Sequence, residues 1–567
     1  MQKGAAGPVA TQPGRCRRGR LGGGGDPVGG LPFPLGLRHD GERAAFRRPR
    51  QPSGETVYDP LSQDISELGA DLASGATTSL QLVEAYLARI AAHDKKGAAI
   101  NAMTWLCDDA AAQARQLDQE RANGLVRGPL HGVPIVVKDN IDLAGLPTTA
   151  GSALLREHRP ARDASVVRRL RQAGAIVLGK TNMSEFACSN GRYGYGSLAG
   201  LTLNPYNRAR NAAGSSSGSG AAVAAGFAAA ALGTDTFGSV RAPACVAGLA
   251  GLRPTLGLIP VDGILPLSLS FDTVGPLARR VRDVALLLRS MACAVPGGER
   301  GEYLDALDAG ALRGQRIGVV ADFPGEDEEV QAIVGQSLDR LRDLGAVLVD
   351  LRVPAPATAL HPILLAPLAD AEWPGQLDEY LKKSLGAAPL TMAQLVDAAT
   401  AWSAACPTHD VNPRTLAGMR RALEAARQQT AVERARAQAT LAGFRAALMQ
   451  RMRQEDVTAL VFPTLSCPAS PRYDQPDPSY VEHPGNPYAA LYVASAAGLP
   501  EISVPAGRAR AGVPVGLSFM GAPHDEARLL GLAYAFEQSV GARLEPVLED
   551  AGASGAAGGV RTGGLQV

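Results

Sequence analysis

The sequence predicts an α/β fold in which helices cover a β-sheet, and three observations predict it. Helical and strand-like patterns alternate along the chain, which is typical of α/β proteins. A hydrophobic content of 46% with 20% charged residues is enough for a large core. The strand-like segments are short, rich in β-branched residues and bounded by Gly or Pro. In chain order they are GVPIVVKDNID, AIVLG, RIGVV, AVLVDL, ALVFPT, ISVPAG and VGLSFMG.

Helices are predicted between these strands. One begins at Thr78, because Thr78 and Gln81 have the spacing of a capping box. The apolar residues that follow recur on one helical face: Leu82, Val83, Tyr86, Leu87 and Ile90. The amphipathic segment SVVRRLRQAG precedes the strand AIVLG. Further helical patterns occupy 414–452 and the segment DEARLLGLAYAFEQSV.

The composition divides the chain into three parts. Residues 1–52 are rich in Arg, Gly and Pro without apolar periodicity, which predicts a disordered extension. Residues 549–567 are rich in Gly and are predicted to be a flexible tail, and residues 53–548 between the two ends are predicted to form a single domain. The pair Arg17 and Arg18 is not followed by the apolar stretch of an export signal. We therefore expect a cytoplasmic protein.

Charge and cysteine content exclude several classes of function. A net charge of +1 argues against nucleic acid or an acidic membrane surface as a partner. The most apolar run, Ala221–Gly233, is too short and too rich in alanine to span a bilayer. The seven cysteines are scattered and include no Cys-x-x-Cys pair, which argues against disulfides and against a zinc site. We expect free thiols and no metal.

The segment from Gly174 to Thr181 matches the phosphate-binding pattern Gly-x4-Gly-Lys-Thr. That function needs an open loop whose N–H groups point at the phosphates. Here an amphipathic helix precedes Gly174, and the intervening residues AIVL are themselves the predicted strand. N–H groups paired in a sheet cannot bind phosphate, so we reject the ATP-binding hypothesis.

The Gly-rich segment NAAGSSSGSGAAVAAG contains Gly-x-Ser-x-Gly centred on Ser216, the pattern of a hydrolase nucleophile. Such a nucleophile follows a hydrophobic strand, whereas the preceding residues TLNPYNRARNAA are polar and rich in turns. A downstream acid and histidine are also required, and none of the downstream histidines has a distinctive context: His361, His409, His483 and His524. We therefore reject Ser216 as the nucleophile. A helix beginning in the serine cluster remains the better interpretation.

Two other positions have unusual settings. Lys138 ends the apolar run GVPIVVK, and desolvation there would lower its pKa and make it a usable base. The alternative is an ordinary ion pair with Asp139 or Asp142. Ser239 follows the small and polar residues GTDTFG, a loop that can direct several backbone N–H groups at one point.

These segments together closely resemble the amidase signature family. The resemblance rests on AGSSSGSGAAVAAG, LGTDTFGSVRAPA, GLAGLRPTLGLIP and LPLSLSFDTVGPLAR, with GVPIVVKDN, GKTNMSEFA and PEISVPAG besides. It extends over residues 56–545, in a style most similar to the general and peptide-amide amidases. It implies the amidase-signature fold, a large mixed twisted sheet with helices on both faces. It also implies hydrolysis of a small-molecule or peptide-like amide without any cofactor.

The resemblance implies a Ser-cisSer-Lys triad. Its lysine falls on Lys138, the serine after a cis peptide bond falls on Ser215, and the nucleophile falls on Ser239. We expect one helix and one turn between the two serines. Groups near the oxyanion and the substrate are placed, besides Ser239, at Thr236, Phe237, Gly238 and Ala187. Residues that shape the two loops are placed at Ser216, Asp235 and Arg241.

Two residues depart from the family pattern, and two alternatives to a stand-alone amidase stay open. Ala213 stands where glycine is common, a small change unless φ is positive there, and Phe237 stands where small residues are frequent. The alternatives are the glutaminase subunit of a tRNA-dependent amidotransferase and a non-catalytic binding protein. A homodimer is also left open. Residues 355–455, with Trp373, Tyr380 and Trp402, are expected to form a helical cover over the site.

Overall fold

The computed structural model describes residues 63–293, 303–385, 390–541 and 544–548. The predicted extension over 1–52 and the predicted tail over 549–567 lie outside these residues. The internal contacts divide the chain between Tyr58 and Asp59, six residues after the boundary predicted at 52/53. Every residue described below belongs to the second of these units.

Eleven strands form one mixed sheet, and two very short strands form a separate hairpin. In chain order the strands are β1 (Met103–Leu106), β2 (Pro134–Lys138), β3 (Ile176–Thr181), β4 (Tyr195–Gly196), β5 (Gly200–Leu201), β6 (Ala230–Asp235), β7 (Ala250–Arg253), β8 (Thr273–Ala278), β9 (Arg316–Val320), β10 (Val347–Leu351), β11 (Ala459–Pro463), β12 (Glu501–Arg508) and β13 (Pro514–Met520). The order across the large sheet is β1-β3-β2-β6-β8-β7-β12-β13-β11-β9-β10. All seven predicted strand segments are strands of this sheet.

Fourteen α-helices are described. They are α1 (Ile65–Ser74), α2 (Ser79–His93), α3 (Ala110–Ala122), α4 (Ser165–Gln172), α5 (Ser217–Ala224), α6 (Arg241–Val246), α7 (Val281–Met291), α8 (Glu328–Asp343), α9 (Ala366–Leu385), α10 (Met392–Ala405), α11 (Pro413–Gln428), α12 (Ala431–Gln454), α13 (Leu491–Ala497) and α14 (Glu526–Val540). The capping box at Thr78 is present, with its side chain accepting from the N–H of Gln81. The pattern predicted over 414–452 is two helices, α11 and α12.

Helices cover both faces of the sheet. Side chains alternate between the two faces of a strand, yet every residue of β2, β3, β6, β8, β11 and β13 is buried. Strands buried on both faces are typical of α/β proteins. The sheet contains both parallel and antiparallel strand pairs. The strand β2 pairs in parallel with β3 and β6, whereas β6 pairs antiparallel with β8. The predicted fold class is confirmed.

The connection between the two candidate serines differs from the prediction. Between Ser215 and Ser239 the chain forms α5 and then the strand β6, not one helix and one turn. The strand was missed because its residues AALGTD are mostly small and carry few β-branched side chains. The helix α5 carries the chain away from one end of the sheet, and the strand β6 brings it back to the same end. The two serine loops therefore lie at the same end, as expected.

Candidate active site

The end of β2 places a lysine inside the protein. Lys138 is completely buried, and its Nζ donates hydrogen bonds to Ser215 Oγ at 2.8 Å and to Thr234 Oγ1 at 2.8 Å. Thr234 belongs to β6, the parallel neighbour of β2. Burial lowers the pKa of Lys138 to about 7, against the opposing effect of the negative charges of Asp235 and Asp272. A substantial fraction of this lysine is therefore neutral at physiological pH.

The ion-pair alternative for Lys138 is wrong. Asp139 instead pairs with the equally buried Lys180, with 3.0 Å between Lys180 Nζ and Asp139 Oδ1. Asp142 accepts a hydrogen bond from the hydroxyl of Tyr380 at 2.6 Å. Both neighbouring carboxylates thus have other partners, and Lys138 donates only to uncharged oxygens.

The same ion pair supports the rejection of the ATP-binding motif. Its residues from Ile176 to Thr181 are β3, every one of them buried. Lys180 also donates to Pro147 O at 2.8 Å and to Thr148 Oγ1 at 2.7 Å. A lysine held in this way, on a strand rather than in an open loop, has no access to a phosphate.

The serine cluster begins with unusual backbone geometry. The peptide bond between Gly214 and Ser215 is cis, as the family resemblance implies, and Ala213 has a φ of 52°. This φ lies in the left-handed region, which strains alanine but not glycine. The alanine at position 213 therefore carries an energetic cost that glycine would not. An alanine there costs about 1 to 2 kcal/mol relative to ordinary backbone. Ser215 itself is completely buried.

Ser216 does not resemble a nucleophile in the structure. Its hydroxyl donates to Thr234 O at 3.2 Å and accepts from Thr234 N at 3.3 Å, and the side chain is completely buried. Its backbone N–H donates to Ser239 O at 3.2 Å. Ser216 therefore joins its own loop to the loop of Ser239. It precedes α5 without capping it through its side chain.

The loop after β6 is organised by one carboxylate. Asp235 accepts from the backbone N–H groups of Gly238 at 2.9 Å and Val240 at 3.0 Å. Gly238 therefore does not fit the predicted role of oxyanion donor, because its N–H already has an acceptor. Within the described chain, no acceptor is found for the N–H groups of Thr236, Phe237 and Ser239. These three residues line a cavity, whereas Gly238 does not.

A buried network of charges fixes Asp235. Arg241 donates to Asp235 Oδ1 at 2.8 Å and also pairs with Glu501, and Arg253 donates to Asp235 Oδ1 at 3.0 Å. All four side chains are completely buried. Burial alone would raise the pKa of Asp235, but the two guanidinium groups hold that pKa well below its usual range. Asp235 and Arg241 thus lie at the base of this loop, and their role in shaping it stays a prediction.

Replacing Asp235→Asn is expected to lower the free energy of unfolding by about 3 to 5 kcal/mol, because it leaves buried guanidinium charge without its partner. Urea unfolding followed by circular dichroism measures the effect. The control is Asp339→Asn, which removes an exposed ion pair with Arg342 and should cost less than about 1 kcal/mol. Equal losses for the two variants would contradict the structural role of the network.

The cavity in front of Ser239 has a volume of about 280 Å³. Six aromatic side chains line it: Tyr193, Phe237, His361, Trp373, Tyr488 and Tyr492. Phe237 contacts His361 and Tyr492 edge to face, with ring centroids 5.2 Å and 6.2 Å apart. Asp370 and Arg421 also line the cavity and form an ion pair of 3.0 Å. The remaining predicted contact, Ala187, lines it too.

Residues 355–455 contribute one wall of this cavity. His361, Trp373 and Asp370 come from the segment that leads into α9 and from α9 itself, and Arg421 comes from α11. Of the three aromatic residues predicted for this cover, only Trp373 lines the cavity. Tyr380 bonds to Asp142, and Trp402 Nε1 donates to His409 O at 2.9 Å.

Two residues beside the triad and the loop after β6 are among those that the sequence analysis did not predict. Thr234 accepts from Lys138, and Asp272 accepts from Thr236 Oγ1 at 2.5 Å and from the N–H of Leu267 at 2.9 Å. Burial raises the pKa of Asp272 to about 6. Both lie within segments on which the family resemblance rests, LGTDTFGSVRAPA for Thr234 and LPLSLSFDTVGPLAR for Asp272.

The fold thus places a partly exposed serine at a cavity, unpaired backbone donors beside it and a buried basic group behind it. Acyl-transfer hydrolases need these three elements.

Comparison with known proteins narrows the class of protein further. The family model named Amidase matches residues 81–530. The chain belongs to this amidase family, and it is an amidohydrolase.

Individual relatives cover nearly all of the described chain. One subunit of the glutamyl-tRNA(Gln) amidotransferase of Anaeromyxobacter sp. (strain K) is 37% identical over 487 residues, which is 84% of this chain and 96% of that protein. Among solved structures, a peptide amidase from Stenotrophomonas maltophilia has a TM-score of 0.78 and 36% identity, covering 86% of this chain and 99% of that one. An amidase family protein from Bacillus anthracis str. Ames has a TM-score of 0.75 and 30% identity, covering 86% of this chain and 92% of that one.

None of the described helices combines the length and apolar character that a membrane crossing requires.

Proposed function

We propose that the protein hydrolyses a carboxamide through an acyl-enzyme, with Ser239 as nucleophile, Ser215 as proton relay and Lys138 as base. The observation that carries this proposal is the 2.8 Å hydrogen bond between Lys138 Nζ and Ser215 Oγ. A buried lysine with a pKa of about 7 can accept a proton near neutral pH. No metal or organic cofactor is needed for this chemistry.

The reaction begins with two proton transfers. Neutral Lys138 takes the proton of Ser215, Ser215 takes the proton of Ser239, and Ser239 Oγ attacks the amide carbonyl carbon. The negative charge that develops on the carbonyl oxygen is stabilised by the unpaired N–H groups of Thr236, Phe237 and Ser239. These donors are fixed before the substrate arrives, because Asp235 and its guanidinium partners hold the loop.

The leaving amine departs on the Ser215 side. Ser215 gives a proton to the amide nitrogen and regains one from Lys138, the C–N bond breaks, and the acyl group stays on Ser239 as an ester. Water then attacks this ester and gives up a proton through Ser215 to Lys138. The ester C–O bond breaks as this proton returns through Ser215 to Ser239 Oγ, and the carboxylic acid product leaves and ionises. Each proton that the relay removes is returned, so the enzyme ends in its starting state.

The cavity favours an amide with an apolar or aromatic acyl group. Since the leaving nitrogen lies near Ser215, the acyl group extends from Ser239 along the ring of Phe237 toward His361 and Tyr492. Aromatic pairs contribute about 0.5 to 1.5 kcal/mol beyond their buried area. The solved peptide amidase relative supports a peptide-like amide as substrate. The chain 355–455 would then act as the cover of the acyl site.

Ammonia release from a panel of primary amides tests both the function and the acyl preference. We expect hydrolysis of 3-phenylpropanamide to exceed that of propanamide in kcat/KM. Phe237→Leu keeps the backbone N–H but removes the ring, so it should narrow this ratio by about three- to tenfold. An unchanged ratio would contradict the acyl assignment.

The same panel separates the two alternatives. The amidotransferase hypothesis has its own support, because relatives at 37% identity are named as one subunit of that enzyme. It predicts that glutamine is hydrolysed only after the other components of a glutamyl-tRNA amidotransferase are added, with no turnover of other amides. A non-catalytic protein would hydrolyse no amide and would not react with a serine-directed fluorophosphonate.

A further inference from the structure

Side chains of four potential metal ligands meet away from the cavity lining. Glu326 and Asp327 lie in the turn between β9 and α8, and Cys467 and His483 lie in the segment 464–490. One donor atom from each of Glu326, Cys467 and His483 lies within 4.8 Å of the other two. Cys467 is buried, His483 is partly buried and Glu326 is exposed. No sequence pattern indicated this cluster, because its members are far apart along the chain.

The histidine of the cluster is oriented by a carboxylate. His483 Nε2 lies 3.2 Å from Asp327 Oδ2. The other oxygen of Asp327 accepts from the N–H groups of Glu329 at 2.9 Å and Val330 at 3.2 Å, so α8 holds this side chain in place. A carboxylate bonded to one ring nitrogen of a histidine, with the second nitrogen left for a cation, is a recurring arrangement at metal sites.

The donor set selects the cation. A thiol, an imidazole and a carboxylate together suit Zn²⁺, whereas Mg²⁺ and Ca²⁺ take oxygen ligands. Donor atoms of a tetrahedral zinc site lie about 3.5 Å apart. The donor atoms of this cluster lie within 4.8 Å of one another. Rotation of the exposed side chain of Glu326 can bring its carboxylate to the shorter spacing of a zinc site. Its present partners are the N–H of Gly485 at 3.0 Å and the hydroxyl of Ser466 at 3.3 Å, both in the segment 464–490.

We propose that Cys467, His483 and Glu326 bind one Zn²⁺ ion. As the Zn–S bond forms, the thiol of Cys467 releases its proton to solvent, and His483 binds as the neutral imidazole. Water completes the coordination. The site does not depend on the chemistry at Ser239.

The consequence of binding lies in the segment 464–490. All of this segment is described, and it contains no regular helix or strand. Its residues Asn486 and Tyr488 line the cavity, a few positions after His483. Zinc would join this segment to the turn that precedes α8, and it would thereby stabilise one wall of the cavity.

Titration of the metal-stripped full-length protein with Co²⁺ alone tests the proposal. We expect one equivalent to bind and to give a thiolate-to-cobalt charge-transfer band, which Zn²⁺ then abolishes. Zn²⁺ at a hundredfold excess over its Kd should raise Tm by about 3 °C. Cys467→Ser should remove the charge-transfer band, and His483→Gln should weaken Co²⁺ binding at least about tenfold.

The matched control is Cys406→Ser, a half-buried cysteine outside the cluster, which should keep the band and the affinity. Three outcomes would overturn the proposal: no thiolate band in the unaltered protein, a band that persists in Cys467→Ser, or unchanged affinity in His483→Gln. If Cys467→Ser does not fold, the affinity of His483→Gln decides alone. Because every readout is metal binding or Tm, the result is separate from that of the amide panel.

Discussion

Ser239→Ala is expected to lower kcat for amide hydrolysis by about four to six orders of magnitude, because it removes the nucleophile and with it the acyl-enzyme. The loss of one hydroxyl from a partly exposed position should leave Tm unchanged. Binding of the substrate should also persist, since the cavity walls and the backbone donors remain. Ammonia release and thermal unfolding measure the two effects.

Labelling with a fluorophosphonate gives an independent test of the same assignment. The unaltered protein should be labelled at one serine, and Ser239→Ala should not be labelled. Ser216→Ala is the control, because Ser216 occupies the centre of the Gly-x-Ser-x-Gly pattern but its hydroxyl bonds only to backbone groups of Thr234. Labelling lost in Ser216→Ala and kept in Ser239→Ala would refute the assignment of the nucleophile.

Lys138→Met should lower kcat by about three or more orders of magnitude, because the relay then has no base. Methionine has a similar length and fills the buried space, so the fold should persist. For the unaltered enzyme, kcat/KM should rise with pH through about 7, since only the neutral lysine accepts a proton and it prevails above its pKa of about 7. A pH profile that falls across this range would contradict the role of Lys138.

The same pKa has a consequence for stability. The ordinary pKa of a lysine is 10.5, and burial lowers that of Lys138 to about 7 in the folded state. Between these two values the unfolded chain binds a proton at this position that the folded chain does not. The contribution of Lys138 to the free energy of unfolding therefore rises with pH from about 7 to 10.5. Lys138→Met should remove this slope, which urea unfolding at several pH values can measure.

Much of the fold was predictable because its strands carry local signals. Segments such as RIGVV are rich in β-branched residues, and this composition favours a β-strand. The strand β6 was not predictable in the same way, since alanine favours helices and both alanine and glycine are depleted in strands. Its strand conformation comes from pairing with β2 and β8 on either side. That information lies in the packing, not in the six residues themselves.

The candidate site was predictable where it depends on motifs. The contact of Lys138 with Ser215 joins residues 77 positions apart, and only the family resemblance connected them in advance. The exclusion of Gly238 as a donor could not be predicted, because it depends on which way the carboxylate of Asp235 points. Likewise, the positive φ of Ala213 is a property of the loop that no residue type reveals.

The hydrophobic clusters behind the site divide it into two parts. The strands β2 and β6, which carry Lys138 and Thr234, belong to the main cluster of the sheet. Trp373 and the apolar faces of α9 and α11 belong to another cluster that shares no buried residue with it. Substitutions of apolar residues on α9 and α11 are therefore expected to reshape the cavity wall more than the proton relay. An enzyme divided in this way can change its range of substrates at the outer wall more readily than its chemistry.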